Sequence, residues 1–203
     1  MSSISSNPVR VAPQQERSSR RLASFLDAAA ELFVEVAYDA TTMTAIAERS
    51  GSSIGALYNY FPDKQAVALT LLSQYAQEME DLWKPLMVQA QKLTHSEFAS
   101  LFIEQITAMM QQRPAYLRLL RAPVRLRRDP AAKRALRANI ANAFRTKNPF
   151  LSAEQAMLAA NVTLEIVRGL MTLYGEADEK GKAQISAEFK RVLALYLGSV
   201  LGS

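Results

Sequence analysis

Cysteine is absent from the 203-residue sequence, and histidine occurs only once, at position 95. The missing thiols exclude disulfides, thiolate metal sites and cysteine nucleophiles, and they suit a reducing cytosol. A single histidine leaves no material for a Ser-His-Asp triad or a two-histidine metal site. We therefore expect neither a metal nor a cofactor, and we interpret His95 as a solvated residue in a turn that begins a helix.

Long apolar runs and alternating patterns are missing as well. The sequence has no run of about 18 apolar residues, and its start, MSSISSNPVRVAPQQERSSRR, lacks the apolar centre of a signal peptide. These absences predict a soluble cytoplasmic protein with no membrane partner. No segment alternates with period two over the length of a strand, whereas apolar residues recur at helical spacing along most of the chain. The sequence therefore predicts an all-α fold.

The net charge of +5 is unevenly distributed along the chain. Residues 113–137 contain nine basic side chains and one acidic side chain, which is more than the whole surplus. Such a segment is typical of a solvated face, but it also suits attraction to DNA or binding of an anionic ligand. The sequence leaves these three roles of the segment open.

The patterns divide the chain into an arm and two helical units. Ser, Pro and Gln residues predict a disordered arm over residues 1–19. Short helical segments over residues 20–65 predict a small helical unit. Longer amphipathic segments over residues 66–203 predict a larger helical unit, in which capping boxes at Thr94 and Ser152 mark two helix starts.

The stretch AERSGSSIGALYNYF, residues 47–61, predicts two short helices joined by a tight turn. Gly51 stands where a left-handed residue ends the first helix, Ser53 can cap the second, and Leu57 is its buried residue. A second helix reached in this way, braced by a third, is a helix-turn-helix, whose second helix enters the major groove of DNA. Small residues at its start allow close approach, and Tyr58 and Asn59 supply donors for phosphates and base edges.

The series TTMTAIAERSGSSIGALYNYFPDKQAVALTLL, preceded by RLASFLDAAAELFVEVAYDATT, resembles the DNA-binding signature of the tetracycline-repressor (TetR) family of bacterial transcriptional regulators. The resemblance covers residues 20–72, about a quarter of the chain. It implies a homodimer with an N-terminal three-helix DNA-binding domain over residues 20–65. It also implies a C-terminal domain over residues 66–203 that binds a small ligand and dimerises through its last two helices. Carried over position by position, it implies DNA contacts at Thr42, Ser53, Ile54, Gly55, Ala56, Tyr58, Asn59 and Lys64.

Three positions depart from the pattern of the family. Ile54 stands where lysine is frequent, Asn59 stands where histidine is common, and Ala37 stands where glycine usually follows the first helix. The first change replaces a polar contact by an apolar one, such as a contact to a thymine methyl group. The resemblance therefore predicts the fold without predicting the operator sequence.

The segment 153–174 is apolar nearly all round, apart from one polar stripe that consists of Asn161, Glu165, Arg168 and Thr172. The stripe fits the lining of a ligand cavity and equally fits a solvated strip or a seam between subunits. The candidate cavity residues are Tyr75, Met79, Trp83, Phe102, Met109, Met110, Tyr116, Asn161, Glu165 and Arg168. The candidate dimer residues are Leu158, Val162, Leu170, Phe189, Leu193 and Leu197.

These features together predict a ligand-responsive DNA-binding regulator. Its simplest form is a repressor that a small-molecule effector releases from a palindromic double-stranded operator. The alternative is a helical carrier or interaction protein that reads no DNA. An enzyme is disfavoured because acid-base pairs, metal clusters and phosphate loops are missing, with Glu165 as the only candidate acid.

Overall fold

The structure is a computed structural model that describes residues 11–124 and 130–202. Within these ranges the chain forms ten α-helices and no strand, which confirms the all-α prediction. The helices are α1 (Val11–Glu35), α2 (Ala37–Ala40), α3 (Met43–Arg49), α4 (Ile54–Tyr58), α5 (Lys64–Gln89), α6 (His95–Gln112), α7 (Pro114–Arg121), α8 (Pro130–Lys147), α9 (Ala153–Tyr174) and α10 (Glu179–Leu201). A short 3₁₀ turn, Ala90–Lys92, follows α5.

Helix α1 begins at Val11, so residues 11–19 are helical where the sequence predicted a disordered arm. The remainder of the predicted arm, residues 1–10, lies outside the described residues. Glu16 and Arg20 form an ion pair of 2.8 Å one turn apart, which favours the helix. A contact outside the segment adds support, since the Ser18 hydroxyl lies 3.0 Å from the Tyr60 hydroxyl. The compositional argument for disorder missed both contributions.

Helices α1, α3 and α4 form the small N-terminal unit, which we call the head. Phe25 and Phe33 of α1 are completely buried against Ile46 of α3 and Leu57 of α4. Gly51, between α3 and α4, has a φ of 64°, and no atom lies within 4 Å of a Cβ added there. The left-handed backbone alone therefore requires glycine at this turn, as the sequence predicted.

Helix α5 runs without interruption from Lys64 to Gln89, with Pro85 inside it. Its first turns add Val67 and Leu71 to the core of the head, and its later turns add Met79 and Trp83 to the core of the C-terminal unit, which we call the body. Because the helix is continuous, α5 joins the head to the body directly.

Helices α6, α8, α9 and α10 build the body, and α7 lies between body and head. Contacts join α6 to α10, α8 to α9, and α9 to α10, while α7 packs against α1, α2 and α5. The predicted capping boxes are present at the starts of α6 and α9, where Thr94 pairs with Glu97 and Ser152 with Gln155. Helix α7 is thus the element of the body in closest touch with the head.

Helix α9 is long and apolar enough to cross a membrane by length and composition alone. The core helix of a soluble protein passes the same test, and one face of α9 packs against α8 and α10. Only 33% of its most apolar window is buried, so α9 also carries apolar surface that its own chain leaves uncovered.

Candidate nucleic-acid interface and ligand cavity

Helix α4 presents one buried residue to the head and an exposed face to solvent. Leu57 is completely buried, whereas Tyr58 is 52% exposed. The helix ends at Tyr58, because Asn59 and Tyr60 form a turn that leads to buried Phe61. The predicted contacts Ser53, Ile54, Gly55, Tyr58 and Asn59 are all exposed and lie together, and Ala56 is half-buried beside them.

Two predicted contact residues also fix the starts of the short helices. The backbone N–H of Ala45 donates to the Thr42 hydroxyl at 3.1 Å, and that of Ala56 donates to the Ser53 hydroxyl at 3.2 Å. Each hydroxyl accepts one hydrogen bond in this arrangement and keeps its own O–H as a donor. Both residues can therefore cap their helix and contact a phosphate at the same time.

Gly55 lies in the first turn of α4, where the chain is thinnest. No atom lies within 4 Å of a Cβ added to it, so the interior of the protein does not require glycine here. A side chain at this position would point into the space in front of the helix. The absence of a side chain therefore suits close approach of another molecule.

Lys64 is directed at the backbone of the head. Its ammonium donates to the carbonyl oxygens of Tyr38 at 2.7 Å, Asp39 at 3.2 Å and Thr41 at 2.8 Å. These bonds use all three donors of the ammonium, which also lies 4.4 Å from the centre of the Tyr38 ring. In this structure Lys64 stabilises the end of α2, so the phosphate contact implied by the resemblance would cost it these bonds.

Arg49, the last residue of α3, holds this helix against α1. Its guanidinium bridges Glu35, at 2.8 and 2.9 Å, and Glu31, at 3.2 Å. The hydrogen bonds from Arg49 lower the pKa of the Glu35 carboxyl below its usual value. The sequence gave no local signal for this pairing, because the acids and the arginine belong to different helices.

A cavity of about 660 Å³ lies between α5, α7, α8 and α9. Of the predicted cavity residues, Met79, Trp83, Tyr116 and Arg168 line it. The remaining lining is Glu80, Leu117, Leu120, Arg121, Lys133, Leu136, Arg137, Leu164, Val167, Met171, Thr172 and Glu176. The cavity therefore has an apolar interior and a charged margin in which four basic residues face two acidic ones.

The other predicted cavity residues lie outside this lining. Tyr75 packs behind Tyr116, with ring centres 5.5 Å apart, and Phe102 packs behind Trp83 at 4.8 Å. Met109 and Met110 are buried in the core. These side chains support the cavity wall instead of facing the cavity, a distinction that helical spacing alone does not make.

The polar stripe of α9 is divided between two surfaces. Arg168 and Thr172 line the cavity, whereas the Glu165 carboxylate is exposed and pairs with Arg168 at 2.7 Å. Asn161 accepts a hydrogen bond of 2.7 Å from Arg137, which itself lines the cavity. The structure therefore places Glu165 and Asn161 outside the cavity lining. Glu165, the candidate acid, does not face the cavity.

The basic segment contributes cations to this cavity. Arg121, Lys133 and Arg137 belong to residues 113–137, and all three are lining residues. Arg113 instead pairs with Glu78 at 2.9 Å. The basic residues at 125, 127 and 128 lie outside the described residues. Sequence analysis found the segment as a charge cluster but gave no means of placing it beside α9.

A second cavity, of about 730 Å³, lies on the other side of Trp83 between α5 and α8. Glu80, Trp83 and Leu136 line both cavities. The indole N–H of Trp83 is buried without a hydrogen-bond partner among the described residues. The wall between the two cavities thus contains an unsatisfied donor.

The predicted dimer residues fall into two groups. Leu158 is 63% exposed, and Val162 and Phe189 are half-buried. Leu170, Leu193 and Leu197 are completely buried within one chain, so their assignment to a dimer surface is wrong. They face the core of the protomer, and the apolar residues left exposed on α9 and α10 are Leu158, Leu173, Val192 and Leu195.

His95 is less solvated than the sequence predicted. It is the first residue of α6 and is half-buried, with its Nε2 atom buried and without a described partner. Burial and the nearby positive charge of Lys147 both lower the pKa of His95. Its ring lies beside α10, with Nδ1 3.9 Å from a Cβ added at Gly198, and this packing explains why a turn position is not solvent-exposed.

Two family models match the chain. Residues 25–71 match the model of bacterial regulatory proteins of the tetR family, and residues 96–197 match the tetracyclin repressor-like C-terminal domain. A curated relative, the HTH-type transcriptional repressor KstR of Rhodococcus jostii (strain RHA1), is 32% identical over 101 residues, which are 50% of this chain and 44% of that protein. The chain therefore matches less than half the length of this relative.

Solved structures of similar fold cover most of the chain. A TetR-family transcriptional regulator from Streptomyces coelicolor is 21% identical with a TM-score of 0.64, over 89% of this chain and 99% of that one. The regulator FadR from Bacillus subtilis, in complex with stearoyl-CoA, is 17% identical with a TM-score of 0.63, over 88% and 98%. At these identities the likeness establishes the fold.

Proposed function

The chain belongs to the TetR family of bacterial regulatory proteins, and from this premise we propose that it is a cytoplasmic transcriptional regulator that binds operator DNA and responds to a small molecule. The observation that carries the proposal is the short, exposed helix α4, which a completely buried Leu57 fixes on the head. Its outer face has small residues at the start and polar or aromatic residues at the end. This arrangement suits insertion into a major groove.

A homodimer places two heads, one from each chain, along the duplex. Two α4 helices in successive major grooves lie about 34 Å apart, so the operator is expected to be palindromic. Leu158, Leu173, Val192 and Leu195 supply apolar surface on α9 and α10 that the single chain leaves exposed. Paired across a two-fold axis, α9 and α10 of both chains form a four-helix interface.

The effector site of this proposal is the cavity of about 660 Å³. Helix α7 supplies part of its lining and also packs against α1 of the head, so occupation of the cavity can bias the position of the head. The effector can shift the dimer from its DNA-binding state to its released state only as far as its affinity differs between these two states. A hundredfold difference in affinity is about 2.7 kcal/mol. Binding to the operator blocks transcription, and the effector releases the block.

The cavity lining favours one class of effector. Apolar residues form the interior, and Arg121, Lys133, Arg137 and Arg168 outnumber Glu80 and Glu176 at the margin. An apolar molecule with an anionic group matches both features. The stearoyl-CoA bound by the Bacillus subtilis FadR belongs to this chemical class.

The DNA-binding part is tested by substitution on the outer face of α4. Full-length protein is used to enrich duplexes from a randomised library, and fluorescence anisotropy then measures affinity for an enriched duplex. Because the Tyr58 side chain is exposed, Tyr58→Ala should leave thermal unfolding unchanged and weaken binding at least tenfold, which is about 1.4 kcal/mol. Phe150→Ala, which removes an aromatic ring that is 96% exposed on the body, is the matched control.

Equal DNA affinity of the Tyr58→Ala and Phe150→Ala variants would show that α4 does not belong to the DNA-binding interface. Failure of the wild type to enrich any duplex would favour the alternative, a helical carrier without DNA reading.

The effector class is tested with a matched pair of probes. Dodecanoate should raise the unfolding temperature more than dodecan-1-ol, because only the carboxylate can pair with the basic margin. Arg137→Gln should reduce this difference, whereas Arg145→Gln, an exposed change outside the cavity lining, should preserve it. Equal shifts with the two probes in the wild type would exclude an anionic requirement.

A further inference from the structure

The segment 22–65, which contains the helix-turn-helix, carries the wrong net charge for a DNA-binding surface. Residues 22–65 contain two basic and six acidic side chains. Both cations are already bound within the head, since Arg49 bridges Glu31 and Glu35 while the Lys64 ammonium is surrounded by three carbonyl oxygens. Neutralisation of phosphates by Lys and Arg dominates affinity for DNA. The cations that a DNA-binding surface needs must therefore come from outside residues 22–65.

The N-terminal turns of α1 contain such cations. Residues 15–21 include Arg17, Arg20 and Arg21, all exposed, with Glu16 as the only acid. Arg20 is paired with Glu16 at 2.8 Å. Within the described part of the chain, neither Arg17 nor Arg21 lies within 4.0 Å of a carboxylate. This segment precedes residue 25, where the match to the family model begins.

Two contacts place this segment against the helix-turn-helix. The Ser18 hydroxyl lies 3.0 Å from the hydroxyl of Tyr60, just beyond α4, and the Phe25 ring packs against the same tyrosine at 5.5 Å. On a neighbouring side of α1, the Ser24 hydroxyl contacts the Ser50 carbonyl at 3.4 Å, where α3 ends. One side of α1 thus faces the end of the reading helix, and another faces the turn that precedes it.

The unpaired arginines lie between these two sides. Successive residues of an α-helix are rotated by about 100°, which places Arg17 and Arg21 on the strip between the directions of Ser24 and Phe25. They are one turn apart on that strip. The same rotation directs Arg20 towards the side of Asp27, away from the strip.

We propose that the strip of Arg17 and Arg21 is a second DNA-binding element, which contacts phosphates beside the groove that α4 enters. The inference rests on the proposed function and adds the source of its electrostatic attraction. Contacts of this kind neutralise charge without reading bases, so they strengthen binding to all sequences alike. The hydrogen bond between the Ser18 and Tyr60 hydroxyls fixes the element beside α4.

The test measures affinity for an enriched duplex as a function of salt. Each neutralised phosphate contributes about 0.9 to the slope of log affinity against log salt. Arg17→Ala with Arg21→Ala should therefore flatten the slope by about 1.8, so that between about 50 and 200 mM salt the variant loses roughly twelvefold less affinity than the wild type. The order of preference among enriched sequences should stay the same.

Two controls separate this role from general charge removal. Arg20→Ala takes one charge from the same segment and should change the slope by less than half as much. Arg134→Ala with Arg145→Ala takes two exposed charges from α8, far along the chain from the head, and should leave the slope unchanged. Far-ultraviolet circular dichroism confirms that each variant keeps its helices.

The outcomes distinguish the two levels of the proposal. A wild-type protein that enriches no duplex contradicts the proposed function and this inference together. A wild-type protein that binds with a steep salt slope, beside a double variant with the same slope, overturns only the role of Arg17 and Arg21. A flattened slope in the α8 control as well as in the α1 variant would show that exposed charges anywhere on the chain attract DNA. This outcome would also overturn the role of Arg17 and Arg21.

Discussion

At the residue scale, Ala37 has a φ of 63°, the left-handed conformation in which a Cβ approaches the following carbonyl oxygen. That conformation costs a non-glycine residue roughly 1–2 kcal/mol. The loop is nevertheless held in place, because the Thr41 hydroxyl donates to the Ala37 carbonyl at 2.8 Å and Lys64 binds the carbonyls that follow. Surrounding hydrogen bonds therefore impose the strain on Ala37.

Replacement of Ala37 by glycine should stabilise the protein. Relief of the strain outweighs the extra entropy that glycine gives to the unfolded chain, which is about 0.4–1 kcal/mol, so we expect a gain of about 0.5–1 kcal/mol. Urea denaturation measures the change in the free energy of unfolding. Ala23→Gly, an exposed position within α1, should instead lose about 1 kcal/mol. A loss at both positions would show that Ala37 is not strained.

The residue scale also shows what local sequence can and cannot predict. The need for glycine at position 51 follows from a helix-end pattern within a few residues, and the structure confirms its positive φ. The role of Lys64 could not be predicted in this way. Its three carbonyl partners are more than twenty positions away, so only the folded arrangement of α2 and α5 brings them to the ammonium.

At the element scale, the joint between α1 and α3 depends on the ionised state of Glu35. Its pKa is lowered from the usual 4.5 chiefly by hydrogen bonds from Arg49. A lowered pKa in the folded state means that the contribution to stability is fully present above pH 4.5 and is lost as the pH falls through the lowered value. The joint should therefore weaken in acid.

Arg49→Gln should make the stability of the protein less sensitive to acid. The variant lacks the charged donor that lowers the pKa of Glu35, so it should lose less stability than the wild type between pH 5 and pH 3. Urea midpoints across this range measure the effect. Arg145→Gln is the control because it removes an exposed arginine of α8. Parallel acid profiles of the wild type and Arg49→Gln would contradict the role assigned to this pair.

The ends of helices were predictable where residues close together in the sequence determine them. The capping boxes at Thr94 and Ser152 involve residues three positions apart, and both starts were found from the sequence. The start of α1 was not found. The contact between Ser18 and Tyr60, which are far apart in sequence, supports it, so this start is not visible in local propensity.

At the scale of the whole molecule, sequence periodicity identified apolar faces without saying what covers them. Leu193 and Leu197 were assigned to a dimer surface, but they are completely buried in the protomer. Leu195, on the other side of the same helix, is 70% exposed. One helix carries both kinds of leucine, and only the packing of α10 against α6 and α9 separates the inner face from the outer one.

The outer face of α9 and α10 makes a dimer prediction at this scale. Burial of a leucine side chain contributes about 1.5–3 kcal/mol, and a two-fold interface contains each residue twice. Leu195→Glu should therefore cost about 3–6 kcal/mol of dimerisation free energy, which weakens association by roughly two to four powers of ten. Sedimentation equilibrium measures the dimer constant directly.

Loss of the dimer should also weaken DNA binding. A single protomer offers one α4 helix to one half-site, so Leu195→Glu should also weaken binding to a palindromic duplex. Far-ultraviolet circular dichroism should show that the variant keeps its helices. Val88→Glu is the matched control, because Val88 is 79% exposed on α5, outside α9 and α10. A Leu195→Glu protein that still dimerises would move the interface elsewhere. A monomer with unchanged affinity would instead show that one head is sufficient for binding, because the contact between protomers would then contribute nothing to the operator complex.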